Sequence, residues 1–183
     1  MNLSPIIDSR MTFEESIAGT AAPQDVVENL CLIDVCYRAF DGLLHQGQMV
    51  VHKAVRNDVL EIFKMIAMLG FPVAKVVPIV LYDWSDDRSM DDNNTSAFNY
   101  RVVLGTDRLS RHAFGKAVDI NPLLNPVIYD NGILSPLGAS YIPEKPGTLY
   151  ETHPIVQAFL QYGWQWGGHF TDFKDYHHFD MPK

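Results

Sequence analysis

One stretch of this chain repeats apolar residues at helical spacing over several turns, and the runs around it are short. Val55, Val59, Ile62, Phe63, Ile66 and Leu69 fall on one stripe of a helix over residues 54–69. Gly70 closes that helix and Pro72 follows, the usual order at a helix carboxyl end. Residues 30–40 and 48–52 are apolar runs of strand length, and Asp41-Gly42 between them predicts a hairpin with a long loop. Residues 76–82, 98–104, 117–120 and 178–181 read as further strands, with Pro78 placing the first of these at an edge or bulge. Residues 154–162 read as a short helix opened by Pro154 and ended by Gly163. Helices and strands do not alternate strictly. The pattern predicts the α+β class: a single domain with a mostly antiparallel sheet flanked by helices.

Residues 1–24 show little periodicity and read as an irregular arm, which leaves residues 25–183 as the folded domain. Residues 85–95 read as a polar loop. Residues 121–147, rich in Pro, Gly and Asn, read as a long surface excursion of the kind that often carries function.

A chain of 183 residues can bury a core without disulfides. Cys31 and Cys36 lie five apart in one expected strand, roughly 16 Å along it. That is too far for a disulfide, and both read as plain thiols. With 14 basic and 22 acidic residues the net charge is −8, so the basic footprint of a nucleic-acid binder is missing. No run reaches the roughly 18–20 apolar residues of a membrane span. Residues 1–20 show no basic start followed by an apolar run, so no signal peptide is expected there.

The chemistry concentrates in two places. In the first, Ser110-Arg-His112-Ala-Phe-Gly115-Lys-Ala117-Val-Asp119, a His and an Asp are seven apart. In a straight strand they would stand ~23 Å apart, but Gly115 permits a bend that lets imidazole and carboxylate converge. In the second, Asp175-Tyr-His177-His178-Phe179-Asp180, a carboxylate precedes a His by three residues. Such a group can sit beside a metal without binding it and take a proton from water. Two His and one Asp suit zinc and leave one position open, as catalytic sites do. Spacing alone leaves bland readings standing: Asp119 as a turn cap, and His177 and His178 as surface residues.

The first motif matches S-x-H-x-x-G-x-A-x-D at every fixed place, and the second matches a carboxylate, two residues, then His. In both, the chain resembles the zinc peptidases of peptidoglycan, D-Ala-D-Ala carboxypeptidases and L-Ala-D-Glu endopeptidases, whose fold the hedgehog signalling domain shares. Trp166-Gly167-Gly168 resembles a segment that precedes the second motif in the endopeptidase-like branch, and Phe98-Asn-Tyr-Arg101 resembles the family's upstream F-x-x-R segment. The resemblance covers residues 50–183 apart from the 121–147 loop. It implies a hedgehog-like fold and a Zn2+ cofactor held by His112, Asp119 and His178. It implies Asp175 as general base and then acid, and Arg101 on the substrate carbonyl or oxyanion. Ser110 and Trp166 are expected on the substrate side, with Ser110 also able to hold ligand geometry; for Trp166 the other reading is packing in the core beneath the last strand, which the tight turn suggested by Gly167-Gly168 favours.

The implied function is a zinc metallopeptidase acting on peptidoglycan stem peptides at the cell envelope. The alternative from another class is a non-catalytic, zinc-stabilised binding module of the same fold. An amidase acting on a cell-wall amide is a further rival. The base is Asp rather than the Glu of the dipeptidase branch. His177 stands where the family often has Pro, and in an extended segment it would point away from His178. His169 replaces a common acidic residue and receives no role.

Overall fold

A computed structural model describes residues 4–182. The chain opens with a short strand, β1 (Ile6–Ile7), and two single-turn helices, α1 (Phe13–Ser16) and α2 (Gln24–Val27). The hairpin follows as β2 (Leu30–Arg38) and β3 (Leu44–His52), in antiparallel register from Leu30 opposite His52 to Arg38 opposite Leu44. The loop is shorter than expected because residues 44–47 pair as strand; Ala39 N–H closes it on the Leu43 carbonyl.

Helix α3 (Arg56–Leu69) runs as its stripe predicts, with Val59, Ile62, Phe63 and Ile66 buried. Leu69, at the end of the stripe, is exposed. Gly70 takes the left-handed conformation at φ 65° and its N–H bonds back to the last turn, the glycine-capped end that the sequence indicates. The strand expected over residues 76–82 stops early: β4 is Lys75–Val76, and a 3-10 turn follows Pro78 over Ile79–Tyr82. Proline has no N–H to give a ladder, so the strand cannot continue through it.

The polar segment 85–95 holds α4 (Asp86–Asp91), capped by the Ser85 hydroxyl, and β5 (Asn94–Thr95), which pairs with β4. Residues 98–104 form no strand and keep only a bridge from Val102 to Leu109. Next come β6 (Ala117–Asp119), then β7 (Val127–Tyr129) and β8 (Leu134–Ser135), both inside the expected loop. The chain ends with α5 (Pro154–Gln161), β9 (Gln165–Trp166), β10 (Phe173–Asp175) and β11 (His178–Asp180).

The class is α+β as expected, but the single sheet is divided. The orders are β1-β3-β2, β10-β7-β8, β6-β11-β9 and the pair β4-β5. Pairing is antiparallel except at β1–β3 and β4–β5. One apolar core joins these pieces. Val35 and Tyr37 of β2, Val51 of β3 and Ile62 and Ile66 of α3 pack in the same cluster as Val118, Phe159, Trp166 and Phe179. Each such side chain, fully buried, contributes about 1.5–3 kcal/mol. The sheet β6-β11-β9 is thereby fixed to the hairpin and α3.

The opposite face of the hairpin is covered by the amino-terminal segment, which is more ordered than an irregular arm. Phe13, Ile17 and Val26 pack on Leu30, Val50 and Phe98. Farther along, Asp8 holds Tyr37 and His45: the Tyr37 hydroxyl donates to Asp8, and His45 Nδ1 is 2.9 Å from Asp8 Oδ1. His45 Nε2 is 3.2 Å from Asp41 Oδ2. Cys31 and Cys36 are free thiols on β2, and burial pushes both upward in pKa. No helix is long and apolar enough to cross a membrane among the described residues.

Two predictions follow from this packing. Gly115 has φ 64°, and a Cβ there would lie 2.7 Å from His52 N and from Leu30 Cδ2. Backbone strain of this kind costs about 1–3 kcal/mol, and the clash adds to it. Gly115→Ala is expected to lower the unfolding free energy by at least that amount, read as a lower urea midpoint with an unchanged slope; a midpoint equal to wild type would show that the turn tolerates a side chain.

The second concerns His45. Burial lowers its pKa, but Asp8 and Asp41 outweigh burial, and the net direction is upward. A folded value above the unfolded ~6.5 means that the stabilisation is full below that pH and is lost as pH rises through the folded value. The melting-temperature gap between wild type and His45→Gln should therefore be widest near pH 6 and narrow toward pH 9. A gap independent of pH would remove the charge from the account.

Candidate metal centre and active-site cavity

Strands β6 and β11 set two of the three expected metal ligands side by side. Their register places His178 directly opposite Asp119, and directly opposed residues in an antiparallel pair project to the same face at close range. His178 Nδ1 is 2.9 Å from Asp119 Oδ1. The third ligand arrives on a 3-10 turn, Arg111–Phe114. The Ser110 hydroxyl caps its start by accepting from the His112 N–H at 3.2 Å, and Gly115 ends it in the left-handed conformation. The bend expected at Gly115 is thus a helical turn followed by a reversal. It brings His112 Nε2 to 3.0 Å from Asp119 Oδ2 and 3.2 Å from His178 Nδ1.

Residues 96–99 brace both sides. Ser96 and Asp119 exchange backbone hydrogen bonds, and Asn99 N–H donates to the His112 carbonyl. His112 Nδ1 lies against the Ala97 carbonyl. A carbonyl can only accept, so Nδ1 carries the proton and Nε2 keeps its lone pair toward the cluster. His112 and Asp119 are buried and His178 is nearly so, and one ligand atom from each lies within 4.8 Å of the others. Zinc with bonds near 2.0–2.2 Å needs ligand atoms about 3.3 Å apart. Separations of 2.9–3.2 Å fit with a slight outward shift. Two imidazole nitrogens and one carboxylate oxygen are also the right chemistry for that ion.

The charges agree. Burial pushes the Asp119 carboxyl up, but His112 and His177 beside it, with hydrogen bonds from His112 and His178, hold it well below the carboxylate range. Burial lowers His178, and contact with Asp119 outweighs that and raises it.

The cluster lies in the wall of a cavity of about 790 Å³, also lined by Arg101, Ser110, Asp175, His177 and Phe170. Ser110 is buried and both caps the His112 turn and lines the cavity. Arg101 reaches Asp86 at 2.8 Å through Nη2, while its carbonyl accepts from the Ser110 N–H. Asp86 also accepts from the Asn99 amide at 3.3 Å. The Arg101 Nε is buried with no hydrogen-bond partner among the described residues. Asp175 ends β10 with its side chain mostly buried.

Of the two places expected for Trp166, the substrate side and the core, it occupies the core. It is 2% exposed, its indole N–H donates to the Tyr176 carbonyl, and it stacks on Phe179 in the core. The two glycines after it have a steric reason. A Cβ at Gly167 would lie 2.4 Å from the Asp175 carbonyl oxygen, and one at Gly168 would lie 2.5 Å from the Trp166 ring. Trp166-Gly167-Gly168 therefore shapes the bed on which Asp175 lies. His169 lies 2.8 Å from Glu151 and lines the same cavity, outside the three clustered residues.

His177, read from the sequence as a surface residue or one pointing away from His178, is instead buried in the cavity wall. It is 3% exposed and lines the cavity between Asp175 and the Asn125 carbonyl. Burial lowers its pKa, but Asp175 and Asp119 outweigh burial and raise it to about 9. As expected it is not among the clustered ligands. No periodicity or spacing signals a contact two residues away inside a turn; Asp175-x-His177 was the one available hint.

Comparison with curated proteins gives no match. Comparison with solved structures gives none either. Residues 104–181 match a family model described as D-alanyl-D-alanine carboxypeptidase. That stretch contains His112, Asp119, Asp175 and His178, whereas Arg101 lies three residues before it. The match covers under half of the 183 residues, and both motifs, Ser110 to Asp119 and Asp175 to His178, lie within it.

Proposed function

We propose that this protein is a zinc-dependent metallopeptidase that hydrolyses peptide bonds in peptidoglycan stem peptides at the cell envelope. The observation that carries the reading is the convergence of His112, Asp119 and His178 in the wall of a cavity that Asp175 and Arg101 also line. The family match points to a peptidase. The Trp166-Gly167-Gly168 context favours an L-Ala-D-Glu endopeptidase-like activity, with a D-Ala-D-Ala carboxypeptidase-like one as the second specificity. The fold we assign to the reading is the one shared with hedgehog signalling domains, supported by ligands carried on a small antiparallel sheet.

His112 would hold zinc through Nε2, His178 through Nδ1 and Asp119 through its carboxylate. When bound, zinc supplies an activated water and polarises the scissile carbonyl. Asp175 takes the proton from the attacking water and returns it to the departing nitrogen. One carboxylate serves both steps because each leaves it in the state that the other needs. Arg101, oriented by Asp86, places positive charge where the carbonyl oxygen gains electrons. Ser110 keeps the His112 turn in place and, from the wall of the cavity, can also meet substrate.

Muropeptides of known stem sequence, incubated with zinc-loaded protein and read by mass spectrometry, test this. Loss of terminal D-Ala or cleavage after L-Ala, each abolished by EDTA, would support the reading and assign the bond. Asp175→Asn should keep zinc and lose at least about 100-fold in turnover. Arg101→Ala should keep zinc and slow turnover by about 100-fold. His112→Ala should no longer retain zinc after dialysis. Intact muropeptides with zinc bound would favour a binding module instead, and a fully active Asp175→Asn would remove the base.

A further inference from the structure

The turn between β10 and β11 contains a buried histidine that ligates nothing in the cluster. His177 Nδ1 is 2.7 Å from the Asn125 carbonyl oxygen. On the other side of the ring, Nε2 is 3.0 Å from Asp175 Oδ1. The imidazole thus spans the gap between the 121–147 segment and the carboxylate that we assign as base. Its ring cannot rotate without breaking the Asn125 contact, and at 3% exposure it has no solvent space to enter.

We infer that His177 is a positioning residue for Asp175: it holds one carboxylate oxygen in a side contact and so leaves the other to face the reacting water. The inference rests on the reading of Asp175 as base. Three observations point to it. First, Asp175 Oδ1 is buried and has no other polar partner among the described residues, so removing the imidazole leaves it alone. Second, the backbone around the pair is fixed on both sides. Asp175 is registered opposite Val127 in β10–β7, and the His177 carbonyl accepts from the Ile120 N–H at 3.0 Å. The only freedom left to Asp175 is side-chain rotation, the motion that a contact at Oδ1 restrains. Third, the contact reaches from Asp175 through the ring to Asn125. The Asn125 side chain in turn donates to the Ile120 and Gly147 carbonyls and accepts from the Leu149 N–H. The base is therefore referenced to the buried framework of the loop, not to a mobile surface.

The two ring nitrogens can be separated by substitution. Asn at 177 can place its amide nitrogen near Nδ1 and keep the Asn125 contact, but it cannot reach Asp175. Gln can reach Asp175 in the place of Nε2. With zinc content and melting temperature measured on each variant, His177→Asn is expected to lower kcat at least tenfold with KM within twofold of wild type, and His177→Gln to recover most of that loss. Equal impairment of the two, or His177→Asn within twofold of wild-type kcat, would overturn the inference.

A second readout needs no turnover. In 15N-labelled protein, Asp175→Asn is expected to shift the His177 Nε2 resonance and leave Nδ1 in place. An unmoved Nε2 resonance would show that the pair does not interact. A moved Nε2 resonance in a protein that cleaves no muropeptide would support the pairing and sink the peptidase reading alone.

Discussion

The antiparallel pairing of β6 with β11 is the constraint on which the site depends. It sets Asp119 opposite His178, strand residues 59 positions apart in sequence. A slip of one residue would turn every side chain of β11 to the other face. His178 would then leave the cluster, and Phe179, fully buried between Phe159 and Trp166, would leave the core. The cost of losing that aromatic contact is thus also a cost against misplacing the ligand. Metal geometry and core packing select the same register, and neither has to be strong alone.

The same coupling explains why the third ligand can sit on a short turn. A 3-10 segment of four residues has little stability of its own. His112 is held by contacts from outside the turn: the Ala97 carbonyl on its ring, Asn99 on its carbonyl, and Ser110 on its N–H. Residues 96–99 make the first two of those contacts while also bridging to Asp119. The segment expected as a strand leading to Arg101 is therefore a brace between two ligands, and its backbone is spent on them instead of on a ladder.

Much of this was legible, and the boundary is physical. The α3 stripe, the Gly70 cap, the hairpin and the short α5 are local signals of 3.6- or 2-residue period, and they stand where the sequence puts them. The trio His112, Asp119 and His178 was legible through the resemblance carried by its two motifs, since spacing alone left Asp119 as a turn cap and His178 as a surface residue; the structure brings the three together through one bend and one strand pair. What failed were features decided by distant partners. Residues 6–7 become a strand only because β3 offers its edge, and residues 127–129 only because β10 does. Trp166 reads as groove-lining or as core from its neighbours, and it takes the core position: Gly167 and Gly168 serve close backbone approach to Asp175 and to the Trp166 ring. A glycine pair reports crowding without saying which surface crowds it.

Of the four buried side-chain polar atoms without a hydrogen-bond partner among the described residues, Arg101 Nε, Asp175 Oδ1 and Asp180 Oδ1 belong to residues that line the cavity beside the His112–Asp119–His178 cluster, and Asp175 Oδ1 has only its side contact with His177 Nε2 at 3.0 Å. Leaving such a group unpaired costs about 1–3 kcal/mol, more when it is charged. A fold that served only to hold a metal could satisfy or remove all three without disturbing His112, Asp119 or His178. Their retention on both sides of the cluster, cationic at Arg101 and anionic at Asp175, suits a substrate with an oxygen that gains charge and a nitrogen that gains a proton. A peptide bond in cleavage has both.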